Sequence, residues 1–491
     1  MLFNSYEFIF VFLPITFFVY FYLNHKRLTG ASKWFLVCSS LFFYSWWNII
    51  YLPIILTSVI INFALGVSLS KTSNNEQKTY SKKTILIFGI ISNLSLLVYF
   101  KYTDFLIENF NFAFNSNTEL LHLALPLAIS FFTFQQIAYL IDSYRRKTKE
   151  YNFINYALFV TFFPQLIAGP IVHHEEMMPQ FAKAKNKVKN YRNISAGIFI
   201  FSIGLFKKVI IADTFAVLAT EGFDIATTLN LFEAWVTSLS YTFQLYFDFS
   251  GYADMAIGLA LLFNINLPIN FYSPYKSTSM IQLWSRWHIT LTKFVTEYIF
   301  KTIISSFNKY SSSKGLLTIF ISMLIIGFWH GASWMFILFG SIHGLGLVIN
   351  HIWRRKVKIP INKYLGWLIT FNTINLSLVL FRAQEMNDAI KVYSSMFSLQ
   401  NIVLPNMLGE YLSFLGGYGV SFGGFVENIK GGFYLPLWIL LGFIIILFFK
   451  NSMQKLHNFK SNHSTLLFTL LLFTASIVNI NKAEVFIYFN F

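Results

Sequence analysis

Long apolar runs alternate with short basic segments along most of the chain. The first run, from Glu7 to Leu23, is followed by His25-Lys26-Arg27, and a second run over 34–70 carries no formal charge across 37 residues. One membrane-spanning helix needs about 20 apolar residues. The second run therefore predicts two helices, joined by an interfacial turn at Trp46-Trp47-Asn48. The basic segments predict cytoplasmic loops, because Lys and Arg collect on that side of a membrane.

The same pattern, followed to the end of the chain, predicts an all-α polytopic membrane protein with about eleven spanning helices. Its N-terminus is expected outside. Prolines and glycine interrupt 153–171, which predicts a re-entrant or tilted segment, whereas 175–192 predicts an amphipathic surface helix. The mixed segment 281–304 predicts a helix at an interface or along a cavity, and the weakly basic segment 382–432 is expected in the periplasm.

The predicted elements form one domain over 1–491. It divides into N-terminal helices over 1–150, a core that carries the polar motifs over 151–352, and C-terminal helices over 353–491. No internal repeat or heptad run interrupts this order.

Composition supports the membrane interpretation and excludes several other classes. Hydrophobic residues make up 55% of the chain and charged residues only 12%, against roughly 25% charged residues in soluble domains. The net charge of +16 is spread between the apolar runs, so it indicates cytoplasmic loops and not a nucleic-acid surface. The single cysteine, Cys38, allows neither an intrachain disulfide nor a cysteine-based metal site. The lipid bilayer is thus the first expected partner.

Two histidines, His330 and His343, lie inside the apolar segment Ile326–Gly344. His343 precedes the basic segment Arg354-Arg355-Lys356 by a distance that corresponds to roughly 16 Å along a helix. A hydrocarbon core is about 30 Å thick, so His343 is expected near its midplane. An ionisable group at that depth is costly and indicates a functional site. The alternative is a histidine that is hydrogen-bonded inside a helix bundle.

Asp248 and Asp254 form a second candidate cluster. Residues six apart on an unbroken helix point about 120° away from each other, so a pair of carboxylates acting together would need a bend at Gly251. One of the two could instead orient a histidine or a basic residue. The alternative is a buried acid that pairs with a Lys or Arg of the bundle.

Arg286 and His288 lie between or beside tryptophans in the segment LWSRWHITL. Arg286 could hold a phosphate or a carboxylate, although an aromatic belt explains the tryptophans equally well. The segment His173-His174-Glu175-Glu176 lacks the H-E-x-x-H spacing of a zinc protease, so no metal site is expected. The sequence also contains no phosphate-binding loop and no G-x-S-x-G motif. Buried histidine without an evident nucleophile suits general-base catalysis on a hydroxyl group.

Several segments in this order resemble the membrane-bound O-acyltransferase family. They are LPLAISFFTFQQIAYLIDSYR, FPQLIAGPIV, GLFKKVIIADTFA, YFDFSGYADMAIG, WSRWHITL and WHGASWMFILFGSIHG. The most similar branch is the bacterial one that contains the alginate O-acetylase and the integral subunit of peptidoglycan O-acetyltransferase. The first residues, MLFNSYEFIFVFLP, and the last, FIYFNF, resemble that branch as well.

The resemblance implies a ring of tilted helices around a central tunnel that joins the two membrane faces. It implies that His343 is the catalytic histidine, that His330 is a second motif histidine, and that the reaction chamber is lined or supported by Asp248, Asp254, Arg286 and His288. It also implies acetyl-CoA as a cytoplasmic acyl donor, no bound cofactor, a glycan acceptor, a periplasmic SGNH-type acetyltransferase partner, and a place in the bacterial inner membrane.

Two other enzyme or transport functions remain open at this point. A D-alanyl transferase would take its group from a carrier-protein thioester instead of acetyl-CoA. A proton-coupled transporter could use the same buried Asp and His residues as a relay, but it would often show inverted repeats. A purely structural scaffold would not need histidines at the midplane.

Overall fold

Helices make up most of the computed structural model, which describes residues 1–71, 77–167, 169–309, 311–432 and 434–480. The α-helices are α1 (Leu13–His25), α2 (Thr29–Ser45), α3 (Leu52–Ser70), α4 (Gln77–Lys101), α5 (Thr103–Phe114), α6 (Ile129–Tyr144), α7 (Phe153–Thr161), α8 (Phe163–Leu166), α9 (His174–Ala182), α10 (Tyr191–Phe206), α11 (Asp213–Thr220), α12 (Leu231–Leu262), α13 (Met280–Trp284), α14 (Ile289–Phe294), α15 (Lys301–Ser305), α16 (Ser312–His330), α17 (Trp334–Ile352), α18 (Lys363–Arg382), α19 (Met386–Met396), α20 (Gly409–Leu412), α21 (Leu435–Phe448), α22 (Ser452–His457) and α23 (His463–Asn479). The terminal segment FIYFNF lies outside the described residues.

Short helical turns extend or connect several of these helices. The π-helical turns are Phe8–Phe12, Lys207–Ala212, Glu221–Ile225, Val295–Phe300 and Trp353–Val357, and the 3-10 turns are Ile49–Tyr51, Ala184–Lys187, Pro274–Lys276, Asn406–Leu408 and Ser413–Tyr418. The π turn Lys207–Ala212 joins α10 to α11, and the π turn Glu221–Ile225 extends α11, which gives one continuous helix of 35 residues, Tyr191–Ile225.

Seven helices among the described residues are long and apolar enough to cross a membrane. They are Phe8–His25, Ile49–Ser70, Ser81–Lys101, Tyr191–Ile225, Ser312–His330, Trp334–Val357 and Lys363–Arg382. The helices α21 and α23 are apolar but shorter. The polytopic, helical fold class is therefore confirmed. The figure of about eleven spans stays a prediction, since it also counts α2 and α6, which have 17 and 16 residues, and α12, which contains three acidic residues.

The turn predicted within the second apolar run is confirmed. Helix α2 ends at Ser45, and the side chain of Asn48 accepts a hydrogen bond of 3.0 Å from the backbone N–H of Ile50. Helix α3 then begins at Leu52, with Pro53 in its first turn, where the missing N–H of proline costs nothing. The interrupted segment 153–171 forms only the short helices α7 and α8, of 9 and 4 residues, which are too short to cross a bilayer.

The segment 382–432 departs from the all-α expectation. Ile402–Pro405 and Val420–Gly423 form a two-stranded parallel pair, β1 and β2, with Ile402 opposite Val420. Each strand has four residues, which is too short to produce a recognisable alternation in the sequence. The segment contacts the start of α12, where the N–H of Leu231 donates to the carbonyl of Asn401 at 2.9 Å.

Helix α12 is the central element of the molecule and is buried along most of its length. It packs against α10 at two contacts between glycines. A Cβ atom on Gly204 would lie 2.5 Å from the carbonyl oxygen of Gly251, and one on Gly258 would lie 2.7 Å from that of Gly197. Small residues at such crossings allow two membrane helices to approach closely. The paired glycines therefore fix the register of α10 against α12.

Helices α16 and α17 form a hairpin, and glycines again allow close contact between the two helices. A Cβ atom on Gly327 would lie 2.8 Å from the Cα atom of Gly340. His330 and His343 each follow one of these glycines by three residues, which is slightly less than one helical turn. Because the two helices are antiparallel, His330 and His343 lie on opposite sides of this crossing along the hairpin.

Candidate active site

His330 and His343 line the same small cavity in the interior of the bundle. Its volume is about 20 Å³, which is room for a single water molecule. The cavity is lined by Leu245 from α12, Leu283 and Trp284 from α13, Trp287, His330 from α16, Phe339 and His343 from α17, and Ile374, Leu378 and Phe381 from α18. Sequence reasoning thus chose two histidines that the fold brings together.

Both ring nitrogens of His343 have partners. The indole N–H of Trp284 donates to Nδ1 of His343 at 3.3 Å, and Nε2 of His343 lies 2.9 Å from Oγ of Ser377. A neutral imidazole has one N–H and one lone pair. Because Nδ1 accepts from Trp284, the proton is on Nε2 and is donated to Ser377. The Ser377 hydroxyl in turn donates to the carbonyl of Ile374 at 2.8 Å.

This chain of hydrogen bonds decides which groups can act chemically. The basic nitrogen of His343 is Nδ1, on the side of Trp284. Ser377 accepts a hydrogen bond from Nε2–H of His343 and donates none to the ring, so the pair is not an activated serine nucleophile. Ser377 instead orients the ring, as a partner on the second nitrogen of a general base usually does.

The carbonyl end of α16, which carries His330, is held by the junction of α4 and α5. The ammonium group of Lys101 donates to the carbonyls of Trp329 and His330 at 2.7 and 2.9 Å, and the Tyr102 hydroxyl donates to that of Phe328 at 2.9 Å. The last carbonyls of a helix have no partners within the helix, and a cation is favourable there. Sequence reasoning missed this role of Lys101, whose only signal was a charge directly after an apolar run.

His288 is fully buried but is not among the residues that line the cavity of His343. Its Nδ1 lies 3.1 Å from Oδ1 of Asn270, an oxygen that also accepts from the backbone N–H of Thr290. Nδ1 is therefore the protonated nitrogen, and Nε2 carries a lone pair. Among the described residues, this nitrogen has no hydrogen-bond partner. His288 lies within electrostatic range of His330.

Asp248 and Asp254 bind lysines of the neighbouring helix and do not reach the cavity. Lys208 lies 2.8 Å from Asp248 and 2.6 Å from Asp213, and Lys207 lies 2.8 Å from Asp254. Helix α12 is unbroken between the two acids, so the bend that would join them is not present. Of the interpretations offered by the sequence, the buried ion pair is the one that the structure contains.

Arg286 lies half-buried in the turn after α13 and is also outside the residues that line the cavity. Its positive charge acts on Lys276, whose pKa is lowered by burial and then by Arg286. The ammonium group of Lys276 donates to the carbonyl of Phe449 at 2.8 Å. Two cations are thus close together at this point.

His173 and His174 contact different acids. Nδ1 of His173 lies 3.7 Å from Asp142 and 3.1 Å from the hydroxyl of Tyr298, whereas Nε2 of His174 lies 3.3 Å from Glu150. No group of three potential metal ligands occurs within the part of the chain that the structure describes. The histidine pair therefore belongs to two separate polar contacts.

Comparison with known proteins gives one family. Residues 39–384 match the membrane-bound O-acyltransferase family model. The chain is 48% identical to a “Peptidoglycan O-acetyltransferase” of Helicobacter pylori over 84% of its length and 83% of the relative. It is 36% identical to a “Probable alginate O-acetylase” of Pseudomonas aeruginosa over 81% of its length and 75% of the relative.

A more distant relative is a “Teichoic acid D-alanyltransferase” of Streptococcus thermophilus, 29% identical over 52% of this chain and 68% of the relative. All three names describe transfer of an acyl group, which sets aside the transporter and scaffold alternatives. The chain belongs to the membrane-bound O-acyltransferase family and is a multi-pass membrane acyltransferase.

Proposed function

We propose that this acyltransferase moves acetyl groups from acetyl-CoA, on the cytoplasmic side, toward a hydroxyl group of an extracytoplasmic glycan. The observation that carries the proposal is His343 itself, whose unprotonated nitrogen is Nδ1 and which lines a cavity inside the bundle. The names of two relatives that cover more than four fifths of the chain, a peptidoglycan and an alginate acetylase, support acetyl as the group and a glycan as the acceptor.

In the proposed reaction, Nδ1 of His343 takes the proton of the acceptor hydroxyl while its oxygen attacks the thioester carbonyl. The carbon–sulfur bond then breaks, and the imidazolium returns the proton to the leaving thiolate. Trp284 must release Nδ1 before the acceptor can bind there. Its indole N–H then remains close to the attacking oxygen, and Ser377 continues to accept from Nε2–H and stabilises the imidazolium.

The size of the cavity sets a condition on this reaction. A volume of about 20 Å³ holds one water molecule and not an acetyl thioester together with a hydroxyl. The ring of Phe339 packs against both histidines and the ring of Phe381 against His330, and the centroids of these two phenylalanines are 5.0 Å apart. Substrate binding therefore requires these side chains to move, and the tunnel implied by the family resemblance stays a prediction.

His330 is a second candidate for the base, because it lines the same cavity and lies within electrostatic range of His343. We assign it the supporting role of keeping the chamber polar and positioning the acceptor. His288 adds a buried lone pair nearby, and we propose that it binds a polar group of a substrate.

In this proposal, Arg286 and Lys276 are the positively charged side chains that bind the phosphate groups of a donor such as acetyl-CoA. Asp248 and Asp254 support the chamber only indirectly, through the ion pairs that fix α12 against α10. A periplasmic SGNH-type partner would complete delivery to the glycan, with this chain in the inner membrane and its N-terminus outside.

Transfer of D-alanine from a carrier-protein thioester is the second candidate function. The supporting observation is the similarity to a teichoic acid D-alanyltransferase, which covers 52% of the chain. Acetyl transfer is favoured because the acetylase relatives cover 84% and 81% of the chain at higher identity.

The test compares acetylation by wild-type protein, His343→Ala and His330→Ala. Base-released acetate is measured on each envelope glycan in cells and on an acceptor glycan with purified protein and labelled acetyl-CoA. Loss of a general base typically costs about 10²–10⁴-fold in rate, so His343→Ala should nearly abolish transfer while membrane insertion is unchanged.

His122→Ala is the matched control, because the side chain of His122 is 81% exposed. Wild-type rates in His343→Ala would refute its role as the base. If His330→Ala alone abolished transfer, the base would be His330. Incorporation of D-alanine instead of acetate would establish the second candidate function.

A further inference from the structure

A large surface cavity lies where α1 ends and α10 begins. Its volume is about 1000 Å³. It is lined by Phe18, Phe21, Tyr22, Asn24, His25, Arg27, Thr29, Ala184, Lys187, Val188, Lys189 and Tyr191. None of these residues belongs to the cavity of His343, so this cavity, which we call the α1–α10 cavity, is a separate feature.

The charge on the α1–α10 cavity is entirely positive. Arg27, Lys187 and Lys189 line it together with His25, and no acidic residue is among its lining residues. Within the described part of the chain, none of the three cations forms an ion pair with a carboxylate. Three uncompensated cations around one cavity favour an anionic occupant.

The backbone that carries the two lysines is fixed in place. The side-chain amide of Asn264 donates to the carbonyls of Asn186 and Val188 at 3.0 and 2.8 Å. Val188 has an extended backbone. Lys187, Val188 and Lys189 all line the cavity, and Lys187 is half-buried.

The other half of the cavity is aromatic and open. Phe18 and Tyr22 are each 60% exposed, and Phe21 beneath them is buried. All three belong to the last two turns of Phe8–His25, a helix that is long and apolar enough to cross a membrane, and Arg27 follows directly after that helix. The ammonium group of Lys189 is 5.3 Å from the ring centre of Phe18, so the basic side of the cavity contacts its aromatic side.

We propose that the α1–α10 cavity is a binding site for an anionic phospholipid. The phosphate of the lipid would contact Arg27, Lys187 and Lys189, and an acyl chain would run along Phe18 and Tyr22. A soluble phosphate compound would satisfy the cations alone and would leave the aromatic half uncovered. Clusters of Lys and Arg beside a spanning helix are the usual recognition element for anionic lipids.

The experiment uses the full-length protein purified in detergent with equal amounts of phosphatidylglycerol and phosphatidylethanolamine, and the lipids that co-purify are measured by mass spectrometry. Wild-type protein should retain phosphatidylglycerol in preference. Each cation near a lipid surface contributes about a fivefold factor in binding, so Lys187→Gln/Lys189→Gln should lose about 25-fold of that preference.

Lys183→Gln/Lys185→Gln is the matched control, because these two exposed lysines belong to the same basic segment but do not line the cavity. The control should bind lipid as the wild type does. Equal loss in both double variants would overturn the proposal, since it would indicate net charge alone. Displacement of the lipid by glycerol phosphate at similar concentration would also overturn it, because the aromatic half would then contribute nothing.

Discussion

The indole N–H of Trp284 donates to Nδ1 of His343 at 3.3 Å, and this contact decides the protonation pattern of the candidate base. Since Nδ1 is an acceptor, Nε2 carries the proton and donates to Ser377. The lone pair that catalysis would use therefore faces the same side as Trp284. Two residues that the sequence did not single out as partners thus determine how His343 can act.

Replacement of Trp284 by Phe keeps an aromatic ring beside His343 but removes the N–H donor. Since Trp284 leaves Nδ1 before the acceptor binds, the variant tests the later contact of its N–H with the acceptor oxygen. A hydrogen bond of this kind contributes about 0.5–1.5 kcal/mol, so kcat should fall about 2- to 10-fold while KM for the acetyl donor is unchanged. Steady-state kinetics on purified protein measure both constants. Trp353→Phe is the control, because its N–H donates to the carbonyl of Ile359, away from the cavity. An unchanged or higher kcat in Trp284→Phe would show that the N–H is not used.

Ser377→Ala leaves the Nε2–H group of His343 without an acceptor. An unsatisfied buried donor costs about 1–3 kcal/mol, which corresponds to a fall in kcat of about 5- to 150-fold, and Ser377→Thr should restore most of the rate. Intact-mass measurement after incubation with acetyl-CoA alone should show no acetyl group on Ser377. An acetylated Ser377, or a loss as large as in His343→Ala, would mean that the serine is a nucleophile.

Gly340→Ala should disturb the hairpin that places the two histidines. A Cβ atom there would lie 2.6 Å from the carbonyl oxygen of Met323, so α16 and α17 must move apart. Overpacking of this kind costs about 1–3 kcal/mol. We expect a lower unfolding temperature and a larger loss of acetylation, because His343 shifts with the helix. Gly30→Ala, which has nothing within 4 Å of the added atom, should change neither.

Lys208→Met removes the lysine whose ammonium group lies 2.6 Å from Asp213 and 2.8 Å from Asp248. Breaking a buried ion pair costs about 3–5 kcal/mol, so little folded protein should be recovered. Asp248→Asn should cost less, since Lys208 keeps Asp213. Thermal unfolding in detergent measures the stability, and acetylation is measured per folded molecule. If Asp248→Asn folds but loses activity, Asp248 contributes to the chamber directly.

The local pattern of the sequence was sufficient for the membrane fold class and for the choice of histidines. Hydropathy over about 20 residues is a property of each segment by itself, so the spanning helices and the turn before Leu52 could be predicted. An ionisable residue inside such a segment is costly wherever the helix packs, and His330 and His343 could be chosen on that ground.

The ion pairs of Asp248 and Asp254 could not be predicted from the local pattern of the sequence. Their pairing with Lys208 and Lys207 depends on the register of α12 against α10, which the contacts of Gly204 with Gly251 and of Gly197 with Gly258 determine. Likewise, the strands Ile402–Pro405 and Val420–Gly423 exist only as a pair, and neither has a pattern of its own.

The sequence by itself determined that this chain is a helical membrane protein with two histidines in one apolar segment. The hydropathy of a segment, and the free-energy cost of burying an ionisable group in it, depend on that segment alone. Only the tertiary structure decided that His330 and His343 share a cavity, that Trp284 and Ser377 fix which nitrogen is basic, and that both aspartates belong to ion pairs. Hydrogen bonds and ion pairs between helices depend on how the helices cross, and the crossing is set by packing over the whole bundle.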